Sequence, residues 1–481
     1  MAEFDIKNFG GGLNESVHPS LISTNEAQYL LNADIKSGSL KPSRMPKAMT
    51  TIPQCPIVIE TLMVYFNNEE RQFVAAGAGT LYLYNGTSWV KLGEGYGSDR
   101  WDFINYKYNN EDVMILVNGV DNNKILQGTT LRNMKDRRIS YDALGVVNGY
   151  YDANGVLRAT EAEVTTLAPI AKFIELHFER VWLGDDKSVY FSKDFDPEDF
   201  TVPVTELEAN QHGGEIVMES FDATKIIGMK VVYNDIVIFK EKSLFKIVGA
   251  YAEQYEKIQL FNFNGAIADR SIVVTSKGAF FLNNDGIYQY DGVNCTIISE
   301  KANKTIAKYD RAAIHLATAV DFDNKYILTA KGNIGQGTHF TVEYDYENDI
   351  FTVHTYMMKS FLNVVRDLYG VDGETTSGGA IYEYGKGGYG ALQWVGGTYT
   401  LEMPNAIKEV EDIYIVGRGQ EIAFGVKTER KLKEKSILLK NGVTHKPFIN
   451  FGRQFSVEIT AGEPHDFEIS SIRLVLDIDM D

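Results

Sequence analysis

Cysteine is nearly absent: Cys55 and Cys295 stand alone among 481 residues, far apart and without a CxxC partner. That excludes a disulfide-stapled scaffold, and two unpaired thiols from a reducing compartment are preferred over one long-range disulfide. Proline is scarce as well, 11 residues against 43 glycines, so the turns must be made mostly by residues that tolerate φ > 0. No stretch approaches 18 consecutive apolar residues, which leaves no candidate for a membrane-spanning helix. The start, MAEFDIKNFGGG, lacks a basic region followed by an apolar one, so no secretory signal is expected and the chain is expected to be made and kept soluble in a cytoplasm. Cations are in deficit, 47 Lys and Arg against 65 Asp and Glu, for a net charge of −18. A protein that grips duplex DNA gains its affinity from cations at phosphates. This composition argues against a stable DNA binder and suits a soluble surface, or a wall past which DNA slides without sticking.

The motifs of catalysis are missing too. His18, His177, His212, His315, His339, His354, His445 and His465 are scattered, and none sits at metal-ligand spacing from another or from a cysteine. There is no Gly-x-Ser-x-Gly elbow, no HExxH and no repeated Ser-x-Asp-x-Gly-x-x-Trp turn of the propeller glycosidases. A carboxylate pair for glycoside hydrolysis stays open in principle, because 65 acidic residues always permit one. Residues 385–390 match GxGxxG literally, yet Ala391-Leu392-Gln393-Trp394 and two glycines follow, which cannot form a helix presenting its N-terminus to a pyrophosphate. The stretch 385–397 therefore reads as a mobile, glycine-rich connection. Gly10, Gly11 and Gly12 are not followed by a helix carrying Lys-Ser/Thr, so they read as a bend, with Leu13 as anchor, and not as a phosphate loop. Asp194, Asp196, Glu198 and Asp199 surround Pro197 without EF-hand spacing and read as a solvated turn more than a calcium site. Arg180 and Trp182 share one face of a strand, where the guanidinium can stack on a ring within the core. No catalytic, cofactor-binding or metal-ligating residue is assigned.

What the chain does have is strand pattern. Hydrophobic residues make up 44%, charged residues 23%, and Tyr (27) and Phe (26) are numerous, a globular balance that favours strands. From about Val58 onward, short apolar or alternating segments are punctuated by Asn85-Gly86, Asn118-Gly119, Asp285-Gly286, Asp291-Gly292 and Lys331-Gly332, dipeptides that suit hairpin turns. Hairpins continue for over 300 residues, too many strands for one open sheet. Several small sheets arranged radially, as propeller blades, are the economical solution; a large double sheet or barrel is the competing architecture. The expected fold is all-β: an N-terminal extended arm over 1–50 with a short helix from about Asn25 to Asn32, a β-propeller over 51–390, and a small C-terminal β-sandwich over 398–481. In the last strand, Ile472, Leu474, Leu476 and Ile478 alternate with Arg473, Val475, Asp477 and Asp479, and the acidic residues, with Asp481, form its wet face.

The order of several segments carries a resemblance. FGGGLNESVHPSLISTNEAQYLLNADIKSGSLKPSR, then ILVNG, ERVWLGDDKSVYFS, VIFKEKSLFKIVG and GAIADRSIVVTSKGAFFLNNDGIYQYDG resemble in spacing the β-propeller nozzle, tail tubular or packaged-DNA stabilisation proteins of short-tailed bacteriophages. The resemblance covers nearly the whole chain and implies a structural, non-enzymatic virion protein. It implies a homo-oligomeric ring of six copies around the DNA exit channel, beside portal and adaptor proteins and tail fibres, assembled in the bacterial host cytoplasm. No cofactor is implied, and DNA would pass transiently through a bore richer in Asp and Glu than in Lys and Arg. The alternatives are a receptor-binding or fibre-docking propeller that recognises glycan, and a glycan-degrading tail enzyme.

Overall fold

Antiparallel hairpins build the chain, and their turns show why. In the computed structural model, which describes residues 1–136, 149–151, 157–159, 166–200, 212–219, 223–262, 264–334, 337–373 and 378–479, both central residues have φ > 0 at Asn68-Glu69, Asn109-Asn110, Phe178-Glu179 and Asp323-Asn324. Such turns twist in the same sense as the strands they join. Most lack the glycine that marks a hairpin in sequence, and Lys331-Gly332, expected as a turn, lies inside the strand Lys325–Ile334. Gly332 is there for contact: a Cβ would stand 2.7 Å from the Lys308 carbonyl oxygen.

Among the described residues, seven four-stranded antiparallel sheets follow one another, at 61–94, 102–133, 173–217, 226–262, 273–297, 318–354 and 358–383. Their innermost strands are Thr61–Asn67, Asp102–Tyr108, Phe173–His177, Ile226–Val232, Val273–Thr275, Thr318–Phe322 and Met358–Val364. Each touches the next, and the last touches the first, so the sheets close into a propeller-like ring. The seventh sheet takes its fourth strand, Lys47–Ala48, from the N-terminal region, with Ala48 opposite Tyr382. Closure is thus made by residues more than 300 positions apart in the chain.

Alternation explains how the blades stack. In the strand Glu111–Val117, Val113, Ile115 and Val117 join the core shared with the third sheet, while Met114 and Leu116 join the core shared with the first. A strand buried on both faces reads as a continuous apolar run. Full burial of each such side chain stabilises the fold by about 1.5–3 kcal/mol.

Apart from two short pairs, Lys135–Asp136 with Thr166–Leu167 and Gly149–Tyr151 with Leu157–Ala159, the remaining described strands form two six-stranded sheets that draw on both ends of the chain. One contains Ala33–Lys36, Ser39–Pro42, Glu468–Asp479, Ile407–Arg418 and Gly442–Gly452, with Ala2–Ile6 also on Glu468–Asp479. The other contains Gly12–Leu13, Glu26–Leu31, Leu392–Gly396, Phe455–Ala461, Glu421–Thr428 and Leu432–Leu438. They face each other through Phe4 and Phe455, 5.2 Å between ring centroids, and through Phe424 and Phe448, 6.0 Å apart. In the last strand Ile472, Leu474 and Leu476 are buried while Arg473, Asp477 and Asp479 are exposed; Asp481 lies outside the described residues.

Three expectations are corrected here. Residues 1–50 are not an extended arm: Phe4, Ile6 and Leu13 are buried, and five strands of this region belong to the two six-stranded sheets. The helix expected from Asn25 to Asn32 is the strand Glu26–Leu31, paired with Gly12–Leu13 on one side and Leu392–Gly396 on the other. An isolated helix of that length is marginal, and two sheet partners satisfy the same backbone groups. The glycine-rich connection is not loose either. Gly387 and Gly390 donate backbone hydrogen bonds to Met45 and Ser43, at 2.7 and 2.9 Å. A Cβ on Gly387 would stand 2.6 Å from the Met45 carbonyl oxygen, so here glycine permits close crossing of two backbones.

Candidate functional site

All seven innermost strands begin at one end of the ring, and there they enclose a cavity of about 470 Å³ on its axis. Every blade contributes, through Leu62, Phe103, Phe173, Met229, Ile272, Ala319 and Phe361. Beside these apolar residues lies a charged layer supplied by the innermost strands and by the segments leading into them. Arg100 pairs with Asp269 at 2.5 Å, joining the second and fifth blades. Arg270 donates to Thr61 Oγ1 at 2.7 Å and to the Trp101 carbonyl at 3.3 Å. Lys230 pairs with Glu175 at 2.5 Å, Lys359 with Glu60 at 2.6 Å, and Asp102 accepts from the Ile174 N–H at 3.2 Å.

Burial, aided by the neighbouring Arg100 charge, pulls Arg270 down to about 10. Burial would push Asp269 up, but Arg100, Arg270 and Lys172 outweigh it and hold the carboxylate below its usual range. Burial likewise opposes the Lys230 cation, and Glu175 and Asp102 overcome it. Asp269 and Arg270 therefore remain charged at neutral pH, and the Arg100–Asp269 pair braces the blades across the axis, whereas burial pushes the Glu175 carboxyl up. Lys172, with its Nζ 5.0 Å from the Phe173 ring, stands at the cavity wall. A chamber of this size, crossed by ion pairs, does not admit a duplex whose major groove alone is about 12 Å wide.

A second polar cluster lies at the sixth and seventh blades. Glu343 is buried and accepts from Lys325 Nζ at 3.1 Å, Tyr356 Oη at 2.7 Å and Tyr384 Oη at 2.6 Å, with His354 Nε2 at 3.4 Å. Burial pushes this carboxyl up, yet His354, Lys325 and the two phenols hold it down at about 2. Burial keeps His354 below its ordinary value, so its charge acts on Glu343 only as the pH falls, and Lys325 is the standing counter-charge at neutral pH. Lys325 and Tyr384 also line a cavity of about 570 Å³ between the ring and the six-stranded sheets, facing Asp34 and Arg44.

The residues singled out in sequence fall mostly in packing roles. Arg180 is buried, pairs with Asp194 at 2.7 Å, and lies 5.7 Å from the Phe191 ring centroid; Trp182 packs on Phe191 and Tyr255. Glu198 is gripped by Arg132 at 2.6 and 3.1 Å, and Asp196 accepts from Tyr108 at 3.1 Å, so the acidic loop is tied into the protein and is not a solvated turn. Cys55 and Cys295 are both free thiols. Among the described residues, no group of three or more His, Cys, Asp and Glu is placed to hold a metal ion. Arg100, Lys230, Arg270 and Glu343 were not singled out. The available signal was a charged residue inside an apolar run, as in GMKVV and FTVEYD, and the Asp-Arg pair before IVV.

The site and fold together define an all-β protein with a propeller-like ring and a second, two-sheet unit. No protein-family model and no curated protein matches the chain. Among solved structures, BBS1N in complex with ARL6DN aligns with 72% of this chain and 98% of its own at 10% identity, with a TM-score of 0.37. PorZ, a surface component of the type-IX secretion system of Porphyromonas gingivalis, aligns with 69% of this chain and 43% of its own at 12% identity and TM-score 0.28. The extracellular domain of a one-component system of B. thetaiotaomicron aligns with 83% and 48% at 11% identity and TM-score 0.36. The chain thus spans less than half the length of the last two.

Proposed function

We propose that this chain is a structural component of a bacteriophage tail, a nozzle or tail-tube extension, and that several copies form a ring around the DNA exit channel. The two-sheet unit is a β-sandwich that mediates this assembly, and the particle is put together in the host cytoplasm beside portal, adaptor and fibre proteins. The observation that carries the reading is an exposed apolar row on the edge strand Gly442–Gly452. Val443, Ile449 and Phe451 are 60%, 57% and 39% exposed, and Val416 on the adjacent strand is 37% exposed. Large apolar residues clustered on an edge strand mark an interaction surface. With the propeller axis closed by ion pairs, the conduit lies between copies and not through one of them. Mass determination and negative-stain imaging of the full chain test this. A closed ring with a central opening is expected, and a monomer at all concentrations refutes it.

A second reading is a ligand-binding propeller of the tail, favoured by the axial cavity with Lys172 and Arg100 at its wall. Binding of an acidic glycan that is lost on Lys172→Ala would promote it.

A further inference from the structure

Charge is very unevenly distributed along the sequence. Residues 427–453 hold eight Lys and Arg against two Glu, a net +6, within a chain of −18, so the other residues together carry −24. This basic run spans the strands Leu432–Leu438 and Gly442–Gly452, the outer edges of the two six-stranded sheets, and the turns beside them, which carry the exposed Arg430, Lys431, Lys440 and Arg453. Lys433 and Lys435 fold across the gap and donate to the carbonyl oxygens of Ile449 and Pro447, at 2.7 and 2.9 Å. These two lysines cover the edge and oppose addition of another strand there. Arg430 and Lys431 instead flank the exposed Phe451 ring, 5.2 and 5.7 Å from its centroid. The same sheet face continues past Val416 and Val443 into a groove of about 530 Å³. The edge is thus an apolar row with Arg430 and Lys431 at its Phe451 end and Glu409 and the His445–Asp412 pair beside it on the adjacent strand, and it is read through side chains.

A surface of matching character exists elsewhere on the same chain. In each meander, the turns between first and second strands and between third and fourth lie at one end of the ring, opposite the axial cavity. Among the described residues, the turns at that end carry exposed Glu69, Glu179, Glu253, Asp291, Asp323 and Glu347, against the cations Lys193, Lys277 and Arg366, with Lys277 paired to Glu347 at 3.2 Å. Its tips are also apolar: Phe178, Tyr233, Val293 and Val365 are 51%, 57%, 76% and 76% exposed. Acidic and apolar on one surface, basic and apolar on the other, they are complementary in both respects.

We infer that the basic edge of one copy receives the acidic turn face of a second copy, a head-to-tail contact between different surfaces. This rests on the ring reading and names the two surfaces that make it; repeated with a closing rotation, such a contact generates a ring. A second copy is favoured over nucleic acid because the apolar row, central to the edge, has no counterpart in a phosphate backbone, whereas the turn tips supply one.

The test uses the full chain and sedimentation velocity at low and at 0.5 M salt (about 4 Å Debye length). The triple variant R430E/K431E/K440E is expected to associate at least tenfold more weakly, and so is E69K/E179K/E253K. Mixed one to one, the two variants are expected to regain assembly, a result that misfolding of either could not give. Failure of the mixture to assemble overturns the pairing, as does a wild-type ring that survives both reversals, which would leave the ring reading standing with a different interface. A wild-type protein that stays monomeric overturns both. Binding of a 20-base-pair duplex at physiological salt, lost in R430E/K431E/K440E, would assign the edge to phosphates instead.

Discussion

Replacing Glu343 with Gln keeps the shape of the side chain and removes only its charge, which isolates the electrostatic part of the blade-six cluster. The carboxylate accepts from Lys325, Tyr356 and Tyr384, and its folded value of about 2 lies below the ordinary 4.5. That lowering corresponds to about 3 kcal/mol of stability. A carboxyl depressed on folding contributes fully above the unfolded value and loses its contribution as the pH falls through the folded one. The benefit is therefore complete above about pH 5 and vanishes below about pH 2. In the variant, Asp34, 3.5 Å away, is the carboxylate left to Lys325 among the described residues, and breaking a buried pair costs about 3–5 kcal/mol. Urea unfolding followed by intrinsic fluorescence is the assay. Glu343→Gln is expected to lose about 3 kcal/mol at pH 7, with the gap to wild type shrinking to less than half at pH 3. A loss below about 1 kcal/mol, or a gap unchanged between the two pH values, would refute the reasoning.

Three further outcomes are expected. Arg270→Met should destabilise the fold by about 2–4 kcal/mol, because Thr61 Oγ1 and the Trp101 carbonyl lose a buried charged donor; urea denaturation showing no more than the effect of Arg100→Met would contradict this. Burial pushes the Cys55 thiol up to about 11 and Cys295 up to about 12, so iodoacetamide at pH 8 should label neither in native protein and both in urea, which mass spectrometry reads directly. Removing residues 1–48 takes away the strand that closes the seventh blade and five strands of the six-stranded sheets; a near-UV circular dichroism spectrum like that of the intact chain would show that closure is dispensable.

Much of the local structure was legible from residue order. Strict alternation in SSIRLVLDIDMD announced a strand with one wet face, while the burial of VMILV on both faces is a finding of the structure. Radial repetition followed from the number of hairpins. Turn dipeptides were a weaker guide: Phe178-Glu179 adopts φ > 0 at both positions without an Asn or Gly, because flanking strands held in register impose the turn. Lys331-Gly332 failed as a signal for the opposite reason, since its glycine answers the approach of Lys308 and Tyr309 and not a reversal.

The sequence by itself determined the all-β character, the hairpin unit and the net charge, all properties of short segments or of composition. Only the tertiary structure decided that the N-terminal strands complete both the ring and the six-stranded sheets. Pairings such as Ala48 with Tyr382 and Phe4 with Leu474 join residues hundreds of positions apart, and no local pattern encodes a partner at that distance. The same holds for the axial ion pairs, where Arg100 meets Asp269 because ring closure brings the second and fifth blades together. A charge in a loop is read locally as solvated; it becomes a brace only when the fold removes the water around it.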